Sequence, residues 1–170
     1  MPVQLNKIPL LIILALFFIG FACTEEESEP RTREKEWEEL NAYIRKLENE
    51  GYAVDTTDLS VFYIIKEKGT GETPQVGDNC TISYTGHTLS GRKFEDSKDI
   101  FDNGMWNFKY KPSHKVEGFV NTIRYMNRGA KFEMYIHSDY AYGAEGGTGV
   151  PPFTTVVYKV EMIDISKLGL

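Results

Sequence analysis

Three stretches beyond Asp55 alternate apolar and polar residues with a period of two, and this period most restricts what the chain can become. Cys80, Ile82 and Tyr84 share one side of the first; Ala130, Phe132, Met134 and Ile136 share one side of the second. Val156, Tyr158, Val160 and Met162 form the third set, with Lys159 and Glu161 on the opposite side. Neighbouring side chains of a strand point to opposite faces, so each stretch reads as a strand with one face in a core. Val116–Met126 breaks the period, placing Phe119, Ile123 and Met126 at helical spacing. The pattern predicts an α+β domain over residues 55–166, an antiparallel sheet wrapped on one short helix. A chain of 170 residues buries one such core and little more, so one domain with an appendage is expected.

The appendage has three parts. Residues 1–22 have a signal-peptide layout: a short start with a single cation, Lys7, and then an unbroken apolar run from Ile8 to Ala22. Gly20, Phe21, Ala22 and Cys23 resemble a bacterial lipobox, in which the cysteine is acylated, for example with palmitate, and becomes the first mature residue. The alternative is an uncleaved membrane anchor, for which the run is short against the ~20 residues of a spanning helix. Either reading puts the soluble part outside the cytoplasm, in the cell envelope, with Cys23 as the membrane contact. Residues 23–33 are an acidic tether, which resembles the surface-export signal of some outer-membrane lipoproteins or is a plain charged spacer. The periplasmic and surface faces of the membrane both remain open. From 34 to 51, Trp37, Leu40, Ile44 and Leu47 recur at spacings of three and four, which predicts an amphipathic helix ended by Gly51. That helix either packs on its own domain or serves as a docking surface for a homodimer.

Charge and inventory exclude several activities. A formal charge of -6 without a Lys/Arg cluster argues against a nucleic-acid partner, because phosphate binding needs concentrated positive charge. His87, His114 and His137 are too widely spaced for a metal set. The glycine run after Tyr142 opens no helix, as a phosphate site would require, and no cofactor is implied. With Cys23 lipidated, Cys80 has no disulfide partner and reads as a small core residue.

The segments VGDNCTISYTGHTLSGRKFEDS, KVEGF, RGAKFEMYIHSDYAYG and VPPFTTVVYKVEMIDI occur in the order and approximate spacing of the FKBP family of peptidyl-prolyl isomerases. The resemblance covers about residues 59–165, and it implies a twisted antiparallel sheet curved around one short helix with an aromatic pocket between them. By position it makes Tyr84, Phe94, Trp106 and Tyr158 pocket wall and Phe119 the floor. Val116 becomes the residue whose backbone N–H meets the ligand, and Val150 part of the covering loop. Tyr142 becomes the residue whose hydroxyl meets a bound carbonyl. The family's pocket-facing aspartate corresponds here to Glu95, counted without a gap, or to Asp96 if the strand bulges.

This sequence departs from the family pattern in other ways too. Val150 stands alone before Pro151, Phe153 follows the prolines, and Asp99–Asn107 is about two residues longer than usual. The resemblance implies prolyl-containing polypeptides as partners and isomerisation of X–Pro bonds during the folding of exported proteins. A second reading is an FKBP-like module that binds such peptides without turnover. Because the strand and pocket pattern is complete within residues 59–165, that stretch is expected to fold without the preceding helix.

Overall fold

The computed structural model describes residues 30–111 and 116–167. From Arg31 onward the chain forms one compact unit. Helix α1 (Arg33–Asn49) starts at Thr32, whose Oγ1 accepts from the Lys35 N–H at 3.2 Å. Its C-terminus closes by a paired cap, the Tyr52 N–H donating to the Leu47 carbonyl and the Gly51 N–H to that of Glu48. Gly51 takes a φ of +90°, which explains the glycine at the expected stop.

Seven strands follow: β1 (Asp55–Thr56), β2 (Phe62–Glu67), β3 (Asn79–Thr88), β4 (Lys93–Asp96), β5 (Trp106–Lys109), β6 (Lys131–Ile136) and β7 (Val156–Ser166). The order is β1-β2-β6-β7-β3-β4, with every neighbour antiparallel. The short helices α2 (Ser97–Ile100) and α3 (Glu117–Ile123) interrupt them. β3 and β7 form the spine, pairing from Asn79↔Ser166 to Thr88↔Val156 around a bulge after Thr81.

The other edge of β3 is divided. Asn79–Ile82 pair with β5 and Thr85–His87 with β4, so the ladder opens at Tyr84. Ser97 closes this opening: its Oγ accepts from the Tyr84 N–H at 3.1 Å and donates to the Gly104 carbonyl at 2.7 Å. The segment carrying α2 thereby leaves the sheet without stranding a buried backbone donor.

The sheet is covered on both faces. On one, α3 seats Phe119, Val120 and Ile123 against the predicted inward residues of β3, β6 and β7, all less than a tenth exposed. On the other, Leu40, Ile44 and Leu47 of α1 are buried with Ile64, Tyr135 and Val157. The packing alternative for this helix is therefore the one observed. The stripe that a homodimer contact would have used is occupied by the chain's own sheet. Among the described residues no helix is long and apolar enough to cross a membrane. Residues 1–29, with Cys23, lie outside the described residues, as does His114.

Candidate functional site

At the opening in the β3 ladder, side chains from five elements and one loop converge on a cavity of about 190 Å³. Tyr84 comes from β3, Glu95 from β4, Trp106 from the start of β5, Val116 and Phe119 from the N-terminal end of α3, and Tyr158 from β7. Tyr142 enters from the loop between β6 and β7. Phe119, 3 % exposed, forms the base. It meets Tyr158 and Tyr84 edge-on, with ring centroids 4.8 and 5.6 Å away, and Trp106 at 6.3 Å. Such tilted contacts hold the rings apart as walls. The volume lies below the ~300 Å³ at which sites for drug-sized ligands begin, so the cavity suits one ring rather than an extended molecule. A depression of about 570 Å³ lies over charged side chains, among them Lys66, Lys98, Lys159 and Glu161, and lacks such an aromatic enclosure.

One hydrogen-bonded chain runs along the wall. Tyr84 donates to Glu95 Oε1 at 2.9 Å and Tyr158 donates to Oε2 at 3.0 Å. The Tyr142 and Tyr158 hydroxyls are 3.0 Å apart. A phenol has one proton, and that of Tyr158 is already given to the carboxylate, so Tyr142 is the donor in the second pair. Glu95 thus gathers three tyrosines into one array. Burial above all, reinforced by Tyr142 and Glu95, holds the Tyr158 phenol far above its usual range. Burial and then the bond to Glu95 do the same for Tyr84. Tyr142 is also raised, above all by burial. All three hydroxyls keep their protons and remain donors at neutral pH.

Two glycines make the close packing possible. A Cβ on Gly86, the glycine of YTG, would stand 2.8 Å from Phe94 Cζ and 3.0 Å from Tyr158 Cε1. A Cβ on Gly147 would stand 2.7 Å from Tyr142 Cδ1. The glycine-rich loop after DYAYG lies directly on the tyrosine ring, and its hairpin closes by the Gly147 and Val150 backbone bonds at 2.8 and 2.9 Å.

The structure separates the two carboxylates that the sequence left open. Glu95 lines the cavity; Asp96 does not. Asp96 caps α2, accepting from the Lys98 N–H at 3.0 Å, and pairs with Lys93 Nζ at 2.9 Å. The hydrogen bond from Lys93, then that from the Lys98 backbone, holds its carboxyl below the usual range. Asp96 therefore caps α2 and lies outside the lining of the aromatic cavity. Phe94 and Val150, expected in contact with the ligand, also stand back from the lining. Phe94 braces Tyr142 and Tyr158 edge-on, each at 5.8 Å, and Val150 is buried in the core. Unforeseen from the sequence were Phe108, stacked on Trp106 at 4.2 Å, and Phe101, parallel to it at 6.4 Å. Together they continue the aromatic wall outward from the cavity.

An antiparallel sheet divided around an aromatic cavity, with one helix at its base, frames the site. Residues 70–163 match the family FKBP-type peptidyl-prolyl cis-trans isomerase, and the chain belongs to that family. FKBP-type peptidyl-prolyl cis-trans isomerase FkpA of Escherichia coli K12 is 28 % identical over 112 residues, 66 % of this chain and 40 % of that protein. The chain thus spans less than half the length of this relative. The crystal structure of Escherichia coli FkpA superposes with a TM-score of 0.62 at 25 % identity, covering 79 % of this chain and 62 % of that one. A peptidyl-prolyl cis-trans isomerase from Pseudomonas syringae gives 0.65 at 24 % identity, covering 81 % and 98 %, and shares the fold.

Proposed function

We propose that this cavity isomerises X–Pro peptide bonds, with the proline ring seated on Phe119 between Tyr84, Trp106 and Tyr158. The observation that carries the reading is the ring of aromatic walls around one carboxylate in a cavity of about 190 Å³. Rotation of an X–Pro amide is slow because it sacrifices resonance, against a barrier of ~18–20 kcal/mol. The twisted amide has lost conjugation and much of its charge separation, so an aromatic cavity favours it over the planar form. Tyr142 orients the carbonyl by exchanging its bond to Tyr158 for one to the ligand, and the Val116 N–H is read as a second donor. Glu95 fixes the tyrosines and supplies a local field. A preference of ~4 kcal/mol for the twisted state gives roughly a thousandfold acceleration, so no reactive group is needed.

The committed Tyr142 proton also favours a second reading, a module that holds prolyl peptides without turnover. Isomerisation of a short X–Pro peptide by the purified protein, measured beside binding of the same peptide, separates the two. Catalysed exchange supports the enzyme; binding without exchange supports the module.

We further read the protein as lipid-anchored in the cell envelope through Cys23 and acting on exported polypeptides. The apolar run Ile8–Ala22 before Cys23 and the acidic residues after it support this reading. Mass spectrometry of the membrane-extracted protein tests it, and an intact Met1 terminus or the absence of lipid overturns it. The buried stripe of α1 supports no dimer through that helix.

A further inference from the structure

We propose that Glu36, on α1 and outside the stretch matched by the family, is a positioning residue for the cavity: it clasps both ends of the loop that carries Tyr142. The loop leaves the sheet after Ile136 and returns at Val156, two residues paired across β6 and β7. Glu36 Oε1 accepts from the Ser138 N–H at 2.8 Å and from Thr155 Oγ1 at 2.9 Å. Oε2 accepts from Ser138 Oγ and lies 3.3 Å from His137 Nε2. One carboxylate therefore hydrogen-bonds Ser138 at the start of the loop and Thr155 at its end.

All four residues are buried, Glu36 and Ser138 at 1 %, Thr155 at 2 % and His137 at 0 % exposure. A buried carboxylate is no source of adhesion, since its desolvation opposes its attractions and an apolar side chain serves as well. Leu40, Ile44 and Leu47 already supply the adhesion of α1. What the carboxylate adds is direction: hydrogen bonds at fixed angles to two chain segments that lie 17 residues apart in sequence, 138 and 155.

The neighbours of Glu36 repeat the pattern. Trp37 lies flat on His137 at 3.9 Å, and Nδ1 of that ring accepts from the Asp139 N–H at 3.1 Å. Arg33 Nε donates to Asp139 at 2.9 Å, and Arg31 Nε donates to the Phe153 carbonyl at 3.0 Å. Phe153 has a φ of +47°, a left-handed conformation that a non-glycine residue keeps only under external restraint. Arg31 and the first turn of α1 thus hold residues 138, 139, 153 and 155, the two stems of the loop. Tyr142 hangs between those stems with its hydroxyl set against Tyr158. A loosened stem frees the tyrosine from the array on Glu95.

The kinetic arm of the test rests on the isomerase reading; the exchange arm does not. Full-length Glu36→Gln and Thr155→Val are compared with wild type and with Ile44→Ala, which removes α1 packing and touches neither stem. Hydrogen exchange over residues 143–153 is expected to quicken about tenfold in each stem variant, the effect of one lost hydrogen bond, and to stay at the wild-type rate in Ile44→Ala. Turnover of an X–Pro peptide falls in the stem variants and stays within about twofold in Ile44→Ala, although all three melt earlier. Wild-type exchange over 143–153 in both stem variants overturns the proposal, as does an equal quickening in Ile44→Ala. If Glu36→Gln fails to fold, Thr155→Val alone, which keeps the side chain's shape and deletes one donor, decides by the same criterion. If the wild type does not turn over, the isomerase reading fails while the exchange result still decides the clasp.

Discussion

Tyr158→Phe removes a single oxygen from the array, and two opposite consequences follow from its geometry. The hydroxyl donates to Glu95 Oε2 and accepts from Tyr142, each at 3.0 Å, in a residue 3 % exposed. A hydrogen bond to a charged group contributes ~1.5–3 kcal/mol, so the lost bond to Glu95 is expected to lower folding stability by about 2 kcal/mol. Ligand binding is expected to move the other way. In the wild type an incoming carbonyl takes a proton that Tyr142 already shares with Tyr158, so one bond is exchanged for another. In Tyr158→Phe that proton is free, and the bond to the ligand is gained rather than exchanged. At ~0.5–1.5 kcal/mol for the difference, affinity for a prolyl peptide should rise about two- to tenfold. Urea unfolding and calorimetric titration measure the two effects separately. Adding Tyr142→Phe should abolish the gain, because the donor is then missing from both sides of the comparison. Unchanged stability together with unchanged or weaker binding would refute the hydrogen-bonded chain.

Leu40→Ala, at a side chain with 0 % exposure beneath α1, should cost about 2–5 kcal/mol, and a chain shortened to residues 59–165 should melt well below the longer one because Ile64, Tyr135 and Val157 lose their cover. A melting temperature equal to that of the full unit would show that α1 is dispensable. Phe119→Ala removes the cavity base and should cost about 3–5 kcal/mol in stability as well as prolyl-peptide affinity, both read in the same titrations. Burial pushes the Cys80 thiol up to about 11 from 9.0, so between those pH values the unfolded chain has released a proton that the folded chain retains. Stability therefore falls as pH rises through that window, by up to about 3 kcal/mol for this group, and Cys80→Ala should flatten the decline in denaturant midpoints between pH 8 and 11.

The two periodicities made most of the fold legible. A strand with one buried face shows itself by alternation, and β3, β6 and β7 each bury the side that the sequence marked. α1 was visible too, but its partner was not: Tyr135 and Val157 alternate with the marked residues of β6 and β7, Ile64 lies in β2, which no period marked, and only a sheet covered on both sides gives them a purpose. Glu36 escaped for a related reason. It reads as one more charge on an acidic helix, although it lies four residues before Leu40, on the same stripe as Ile44 and Leu47. A carboxylate on an apolar stripe is the signal that could have found it. The Glu95 or Asp96 ambiguity needed the β3–β4 register, in which Gly86 faces Glu95 and Thr85 faces Asp96 before the bulge at His87. Alternation alone cannot locate a bulge, and a one-residue shift exchanges the two faces. The outward stacking of Phe101 and Phe108 on Trp106 depends on a loop whose path no period encodes.

The central claim is that the aromatic cavity and its Glu95-anchored tyrosines turn over X–Pro bonds. The most direct measurement is the exchange rate between cis and trans forms of a short X–Pro peptide, followed by NMR at catalytic amounts of the protein. Wild type, Glu95→Gln and Asp96→Asn are compared under conditions where all three are folded. The account predicts catalysed exchange in the wild type, a loss of about tenfold in Glu95→Gln, which weakens two charge-assisted bonds from Tyr84 and Tyr158, and exchange close to wild type in Asp96→Asn. No exchange above the uncatalysed rate in the wild type would contradict it, and so would a loss in Asp96→Asn equal to that in Glu95→Gln.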